Sequence, residues 1–207
     1  MHYLVVSIVV ALMLIGCSKS NDANIASAES FVDAFYSFDA QRLEAILSSA
    51  EESIPPIVYY QGWADGGNYQ VVNRMPCKSD SATSVSCSIT VKDDLMGALG
   101  IDFDVTDAFH LSLSEGKIIS VRTSSNDLQV FRDAEEWVKR KRSELIREPC
   151  RKYSDGGGPT PGECVQAMVQ GYAEFAASDD FPEPPYMGTS FVPESFQVPA
   201  KIGRAHV

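Results

Sequence analysis

The hydrophobic pattern changes its period from helical to alternating at Gly66-Gly67, and that change points to an α+β arrangement. Before the glycines the repeat is helical. Phe31, Phe35 and Phe38 share a face with Ala28 and Val32, which predicts an amphipathic helix over roughly 25–38. Asp39 is placed to cap a second helix whose apolar positions are Leu43, Ile46 and Leu47. Pro55-Pro56 breaks the chain and starts a third, with the stripe Ile57, Tyr60 and Trp63, and Gly66-Gly67 ends it. Beyond the glycines the repeat is two. Tyr69 and Val71, then Val85, Cys87, Ile89 and Val91, alternate with polar residues, as strands with one buried face do.

Gly97 and Gly100 punctuate a loop or short helical turn around Leu95-Met96. Phe109, Leu111 and Leu113 then alternate with His110, Ser112 and Ser114, and Ile119, Val121 and Thr123 follow the turn Ser114-Glu115-Gly116-Lys117, which reads as an antiparallel hairpin. Asn126 or Ser125 is expected to cap a long helix over about 127–147, with Leu128, Phe131, Val138 and Leu145 inward and Trp137 on the flank. Thr160-Pro161-Gly162-Glu163 has the order of a capping box and opens a last helix carrying Val165, Met168, Val169, Tyr172 and Phe175. No internal repeat is present.

With 207 residues, one compact domain with appendages is expected. The 28 acidic against 17 basic residues give a net charge of -11, which repels polyphosphate and argues against a nucleic-acid partner. The apolar run from Tyr3 to Ile15 is shorter than the roughly 20 residues that span a bilayer and leads into Leu14-Ile15-Gly16-Cys17, the order of a bacterial lipobox. Met1-His2 brings no Lys or Arg to that segment, a departure from the usual export signal. On this reading 1–16 is a signal peptide, and acylated Cys17 holds the protein to a membrane. Ser18 after the cysteine resembles lipoproteins sent to the outer membrane, facing the periplasm. A small, polar tether runs over 17–26. At the other end, 179–207 is a Pro-rich tail with Phe181, Tyr186, Phe191 and Phe196 able to lie on the domain, and its last six residues read as a translated sequencing adapter.

Setting Cys17 aside leaves Cys77, Cys87, Cys150 and Cys164, an even number that permits three pairings. Local pairing is expected: Cys77 with Cys87 clamping two strands across a polar loop 78–86, and Cys150 with Cys164 closing the Gly156-Gly157-Gly158 loop. Zinc would need closer Cys or His pairs, so no metal is expected.

The residues Phe31-Val32-Asp33-Ala34-Phe35, Asp39, Leu43-Glu44-Ala45-Ile46-Leu47, Tyr60, Trp63, Asn68-Tyr69, Met96-Gly97-Ala98-Leu99-Gly100 and the Gly116-Lys117-Ile118 turn, taken in order, resemble a nuclear-transport-factor-2-like, SnoaL-like domain. The resemblance runs from Phe31 to about 138 and places such a domain over 27–147, followed by a disulfide-tied C-terminal helix over 148–178. It implies a cone-like α+β fold, a curved antiparallel sheet around an apolar pocket, often in dimers.

Members of that family include isomerases, dehydratases and cyclases as well as binding modules, so the fold leaves function open. Tyr36, Tyr59, Tyr60 and Trp63 either line a pocket with polar tips or pack in the core, and Phe35, Tyr36, Tyr60, Trp63, Phe109 and Leu111 are the candidate pocket residues. His110 alternates against Phe109 and Leu111 and is expected on the far face of the sheet; Ser120 and Arg122 follow the same rule against Ile119 and Val121. Asp33, Asp102, Asp104 and Asp107 are candidate bases or, more commonly for such residues, solvated acids, and the Asp102 group lacks the spacing of a calcium loop. Lys139-Arg140-Lys141-Arg142 is a solvated helix face or a docking patch for anionic lipid. No nucleophile elbow, phosphate loop, dinucleotide fingerprint or zinc-protease helix appears, so no catalytic residue and no cofactor is assigned. The sequence therefore points to a lipid-anchored envelope protein that binds a small apolar ligand or a protein partner, with a small-molecule isomerase, dehydratase or cyclase as the alternative. A third reading is a structural protein with a filled cavity.

Overall fold

The computed structural model describes residues 21–151 and 158–186. Cys17 and its lipobox, the 156–158 glycine loop up to Gly157, Phe191, Phe196 and the last six residues lie outside them. Residues 21–35 are helical (α1), and Ala40–Ile46 (α2) follows, capped as expected by the Asp39 carboxylate accepting from the Arg42 N–H at 3.1 Å. A single 3-10 turn, Glu51–Ser53, leads into α3 (Ile54–Gly66) with prolines in its first turn, where their missing N–H costs nothing. The strands are β1 (Gln70–Arg74), β2 (Lys78–Ser81), β3 (Ser84–Lys92), β4 (Val105–Ser114) and β5 (Lys117–Ser125), with α4 (Asp94–Ala98) between β3 and β4. Further helices follow: α5 (Gln129–Lys141), α6 (Ser143–Arg147) and α7 (Gly162–Ala176).

The result is α+β, with one five-stranded, wholly antiparallel sheet in the order β1-β3-β4-β5 and β2 on the same side of β3 as β1. Its inner face carries Val85, Cys87, Ile89 and Val91 from β3 and Val105, Phe109, Leu111 and Leu113 from β4, all buried. Helix α1 lays Phe31 and Phe35 on Phe109 at ring separations of 5.3 and 4.8 Å, and α3 adds Tyr60 at 6.3 Å. Burying each such ring contributes roughly 1.5–3 kcal/mol, so this aromatic cluster anchors the helices to the sheet. Helix α7 packs over α3, α4 and α5. Gly171 lets it approach α5 closely, since a Cβ there would sit 2.5 Å from the Val138 side chain.

Several sequence expectations need correction. The segment 78–86 is no open loop: β2 pairs antiparallel with β3, and the Cys77–Cys87 disulfide closes that hairpin. The Cys150–Cys164 bridge also forms, so both local pairings hold. Strand β1 has no buried face; Val71 and Val72 are 45% and 47% exposed because β1 is the sheet margin and bulges between Val71 and Asn73. A second bulge between Ser112 and Leu113 shifts β5 by one residue, so Ile118 takes the core position and Ile119 turns out to solvent. The tight turn between them stands, with Glu115 and Gly116 at φ of 52° and 75°.

The helix expected over 127–147 divides at Arg142, whose backbone leaves the helical region while its side chain pairs with Glu174 and lies over the Trp137 ring at 5.3 Å. Neither Asn126 nor Ser125 caps it: Asn126 accepts from the Thr106 N–H and the Ser125 hydroxyl donates to Asp127. Trp137 is buried instead of flanking, its indole N–H donating to Asp180 at 2.7 Å. Nor does Thr160 cap α7, because its hydroxyl donates across the molecule to the Tyr59 carbonyl. Phe181 and Tyr186 continue the aromatic packing from Phe175, so the described part of the tail does lie on the domain.

Candidate functional site

Strand alternation sends Val105, Asp107, Phe109, Leu111 and Leu113 to the same face, and Asp107 is the single acid among them. It is 1% exposed. Its register partners are Ile89 on β3 and Ser125, the last residue of the edge strand β5, so it has a paired strand on either side. Two tyrosines reach it from the helices above. The hydroxyl of Tyr36, from the residue just after α1, donates to Asp107 Oδ2 at 3.4 Å. The hydroxyl of Tyr60, on α3, hydrogen-bonds to the same carboxylate. Tyr69 packs edge-on against Tyr60 at 6.4 Å and feels the Asp107 charge. The walls are Phe35, 5.0 Å from the Tyr36 ring, and Phe109.

The electrostatics follow from this burial. Loss of hydration pushes the Asp107 carboxyl from its ordinary 3.8 up to about 7; Asp127 and Asp93 push the same way, while the hydroxyls of Tyr60 and Tyr36 oppose. Burial, then Asp107, drives Tyr36 and Tyr60 above the ordinary phenol range, with Arg74 opposing at Tyr36. Arg74 is itself committed, at 2.5 Å to Glu29 and 2.6 Å to Asp33. Asp93 caps α4 through Oδ1, accepting from the Met96 N–H at 2.8 Å, while its buried Oδ2 has no hydrogen-bond partner among the described residues; burial raises it to about 6. A carboxyl that titrates near neutrality beside two neutral phenols can take or give a proton and present O–H donors to a developing oxyanion.

Of the residues singled out in the sequence, Phe35, Tyr36, Tyr60 and Phe109 converge here, Leu111 is one step further along β4 and fully buried, and Trp63 is half-buried on α3. His110 faces the other way, its Nε2 3.0 Å from the Ser124 hydroxyl. Asp33 is an ion-pair partner on the surface, Asp102 is exposed, and Asp104 lies 3.8 Å from Lys92. The sequence placed Asp107 in a group of acids ahead of the Phe109 strand; it belongs to the strand, and its spacing of two from Phe109 is the signal that identifies it. Tyr69 and Asp93 were missed as members of this region. Among the described residues no group of His, Cys, Asp and Glu is arranged to hold a metal ion, and no helix is long and apolar enough to cross a membrane. A separate surface groove of about 490 Å³ lies between α1, the end of α2 and the β4–β5 turn, lined by Ser27, Ser30, Ser48 and Lys117 among others.

Comparisons with family models, curated proteins and solved structures find no match. The chemistry of the site thus rests on its own geometry.

Proposed function

We propose that the chain is an exported envelope lipoprotein whose nuclear-transport-factor-2-like domain performs acid–base chemistry on a small, largely apolar molecule. Asp107 is the proton carrier, and Tyr36 and Tyr60 are the hydroxyl donors. The observation that carries this reading is their convergence: a 1%-exposed carboxyl, displaced toward neutrality, within hydrogen-bond reach of two phenols among aromatic walls. An isomerase needs such a group to remove a proton next to a carbonyl and return it one or more atoms away, and a dehydratase needs it to remove that proton while a neighbouring hydroxyl leaves, protonated, as water. Two disulfides support the export reading, since such bridges persist in oxidising compartments. The order of helices and antiparallel strands supports the cone-like fold.

The test is deuterium wash-in from D2O into a panel of small enolisable ketones, followed by NMR. Wild-type protein is expected to exchange at least one of them, and Asp107→Asn to lose roughly 100-fold or more of that rate. The second reading is a non-catalytic binding domain, favoured by the complete burial of Phe31, Phe35 and Phe109 around the carboxyl. Saturable binding of a ketone with no exchange would select it. For the anchor, Cys17→Ser is expected to move the protein from the membrane fraction to the soluble one.

A further inference from the structure

The cations of this chain are unevenly placed. Residues 139–151 hold six basic and two acidic side chains, a local charge of +4 in a chain of -11. Helix-dipole complementarity accounts for those in the last turn of α5, Lys139, Arg140 and Lys141. It does not account for Arg147 and Arg151, beyond the break at Arg142. Some of the six are spoken for: Lys139 bonds Glu135 at 2.5 Å, Arg142 pairs with Glu174, and Arg151 lies 3.7 Å from Glu148. Arg140, Lys141 and Arg147 are exposed and, among the described residues, have no ion-pair partner. Within the same stretch α6 buries none of its residues; Ile146 packs partly against the core, while Leu145 is half-exposed beside the cations.

Unpaired cations around a partly exposed aliphatic side chain match the boundary of an anionic bilayer, where ammonium and guanidinium groups meet phosphates and short apolar side chains enter the headgroup layer. We propose that the end of α5 and α6 form a membrane-contact surface for anionic phospholipid, acting in addition to any acyl anchor. The surface is built from Arg140, Lys141 and Arg147 with Leu145. Its positive face points the domain against the membrane even though the chain as a whole is acidic, because screening confines each charge to about a Debye length.

The experiment uses the mature chain from position 17 with Cys17→Ser, so that neither the apolar export segment nor an acyl group contributes, and vesicles of phosphatidylcholine alone or with phosphatidylglycerol. Co-sedimentation with the anionic vesicles at low salt, lost at high salt and absent with phosphatidylcholine, is expected. At about 1 kcal/mol per cation, the triple change Arg140→Gln, Lys141→Gln, Arg147→Gln lowers the partition coefficient roughly a hundredfold. Equal binding to both vesicle types, no binding to either, or an unaltered triple variant would overturn the proposal. Should the triple variant melt at a lower temperature than the parent, the three single changes decide: each is expected to lower partition about fivefold, and an unchanged partition in all three refutes the surface.

Discussion

Asp107 and His110 stand three positions apart on β4 and face opposite sides of the sheet. The inner side around Asp107 is aromatic and closed, and it moves the carboxyl by burial and two phenols. The outer side around His110 is hydroxylated: Ser124 meets the imidazole, Thr90 and Thr106 share a hydrogen bond at 2.9 Å, and Arg122 lies across from His110, exposed. The aspartate sits in the environment that moves a pKa, and His110 does not share that face. Which face a residue occupies outweighs its type.

If the inner face carries the stability, truncating it must be costly. Phe109 touches Phe31, Phe35, Tyr36 and Tyr60 and has no exposure. Phe109→Ala is expected to destabilise by roughly 3–5 kcal/mol, read by urea or thermal unfolding. A loss under about 1 kcal/mol would mean that the helices are not held by this ring.

The pH dependence distinguishes the faces more directly. Asp107 has a folded pKa of about 7 against an ordinary 3.8, so its protonated form fits the fold better than its anion. Its contribution is fully present below about pH 4 and declines as pH rises through 7; Asp93, at about 6, acts in the same direction over a narrower window. Stability should therefore fall by roughly 2–4 kcal/mol between pH 4 and pH 8 from Asp107 alone. Asp107→Asn should remove most of this slope and be the more stable protein at pH 8. A Tm that rises steadily from pH 4 to 8, unaltered in Asp107→Asn, would show that the carboxyl is not isolated from water.

The bridge at Cys77–Cys87 extends the inner face to the sheet margin, since Cys87 is the register partner of Phe109 and is fully buried. Replacing both cysteines by serine removes a closure between residues ten apart, and a loss of roughly 2–3 kcal/mol is expected, measured under non-reducing conditions.

Much of this architecture can be read from one-dimensional periodicity. The helical stripes of Phe31 and Phe35, the alternation of Val85 through Val91 and the Glu115-Gly116 turn are local features, and they appear where the pattern puts them. Alternation also contains the parity of Asp107 with Phe109, though a group of nearby acids masks it. Other features depend on partners far along the chain. The helix break at Arg142 goes with a Glu174 that is 32 positions away, and the Thr160 hydroxyl is taken by a carbonyl 101 positions away. Alternation assigns Val71 a face but cannot say whether anything covers it, and here it is 45% exposed. The bulge that exchanges Ile118 for Ile119 is set by pairing with Ser112 and Leu113, which period-two counting does not see.

The smallest effect belongs to the outer face. Among the described residues the His110 side chain hydrogen-bonds to the neighbouring Ser124, and it is half-buried among polar side chains. Its replacement by Gln keeps a donor and acceptor within reach of Ser124 and is expected to change stability by less than about 1 kcal/mol. It should also leave the Asp107 titration where it is, because the sheet stands between them and the described charges acting on Asp107 are Asp127 and Asp93. The carboxyl carbon of Asp107, followed by NMR in His110→Gln, reads this directly. An unmoved midpoint means the two faces of β4 are electrostatically separate, so the inner carboxyl titrates without the histidine. A midpoint displaced by a full unit would instead make His110 part of the same proton network, reached through the strand.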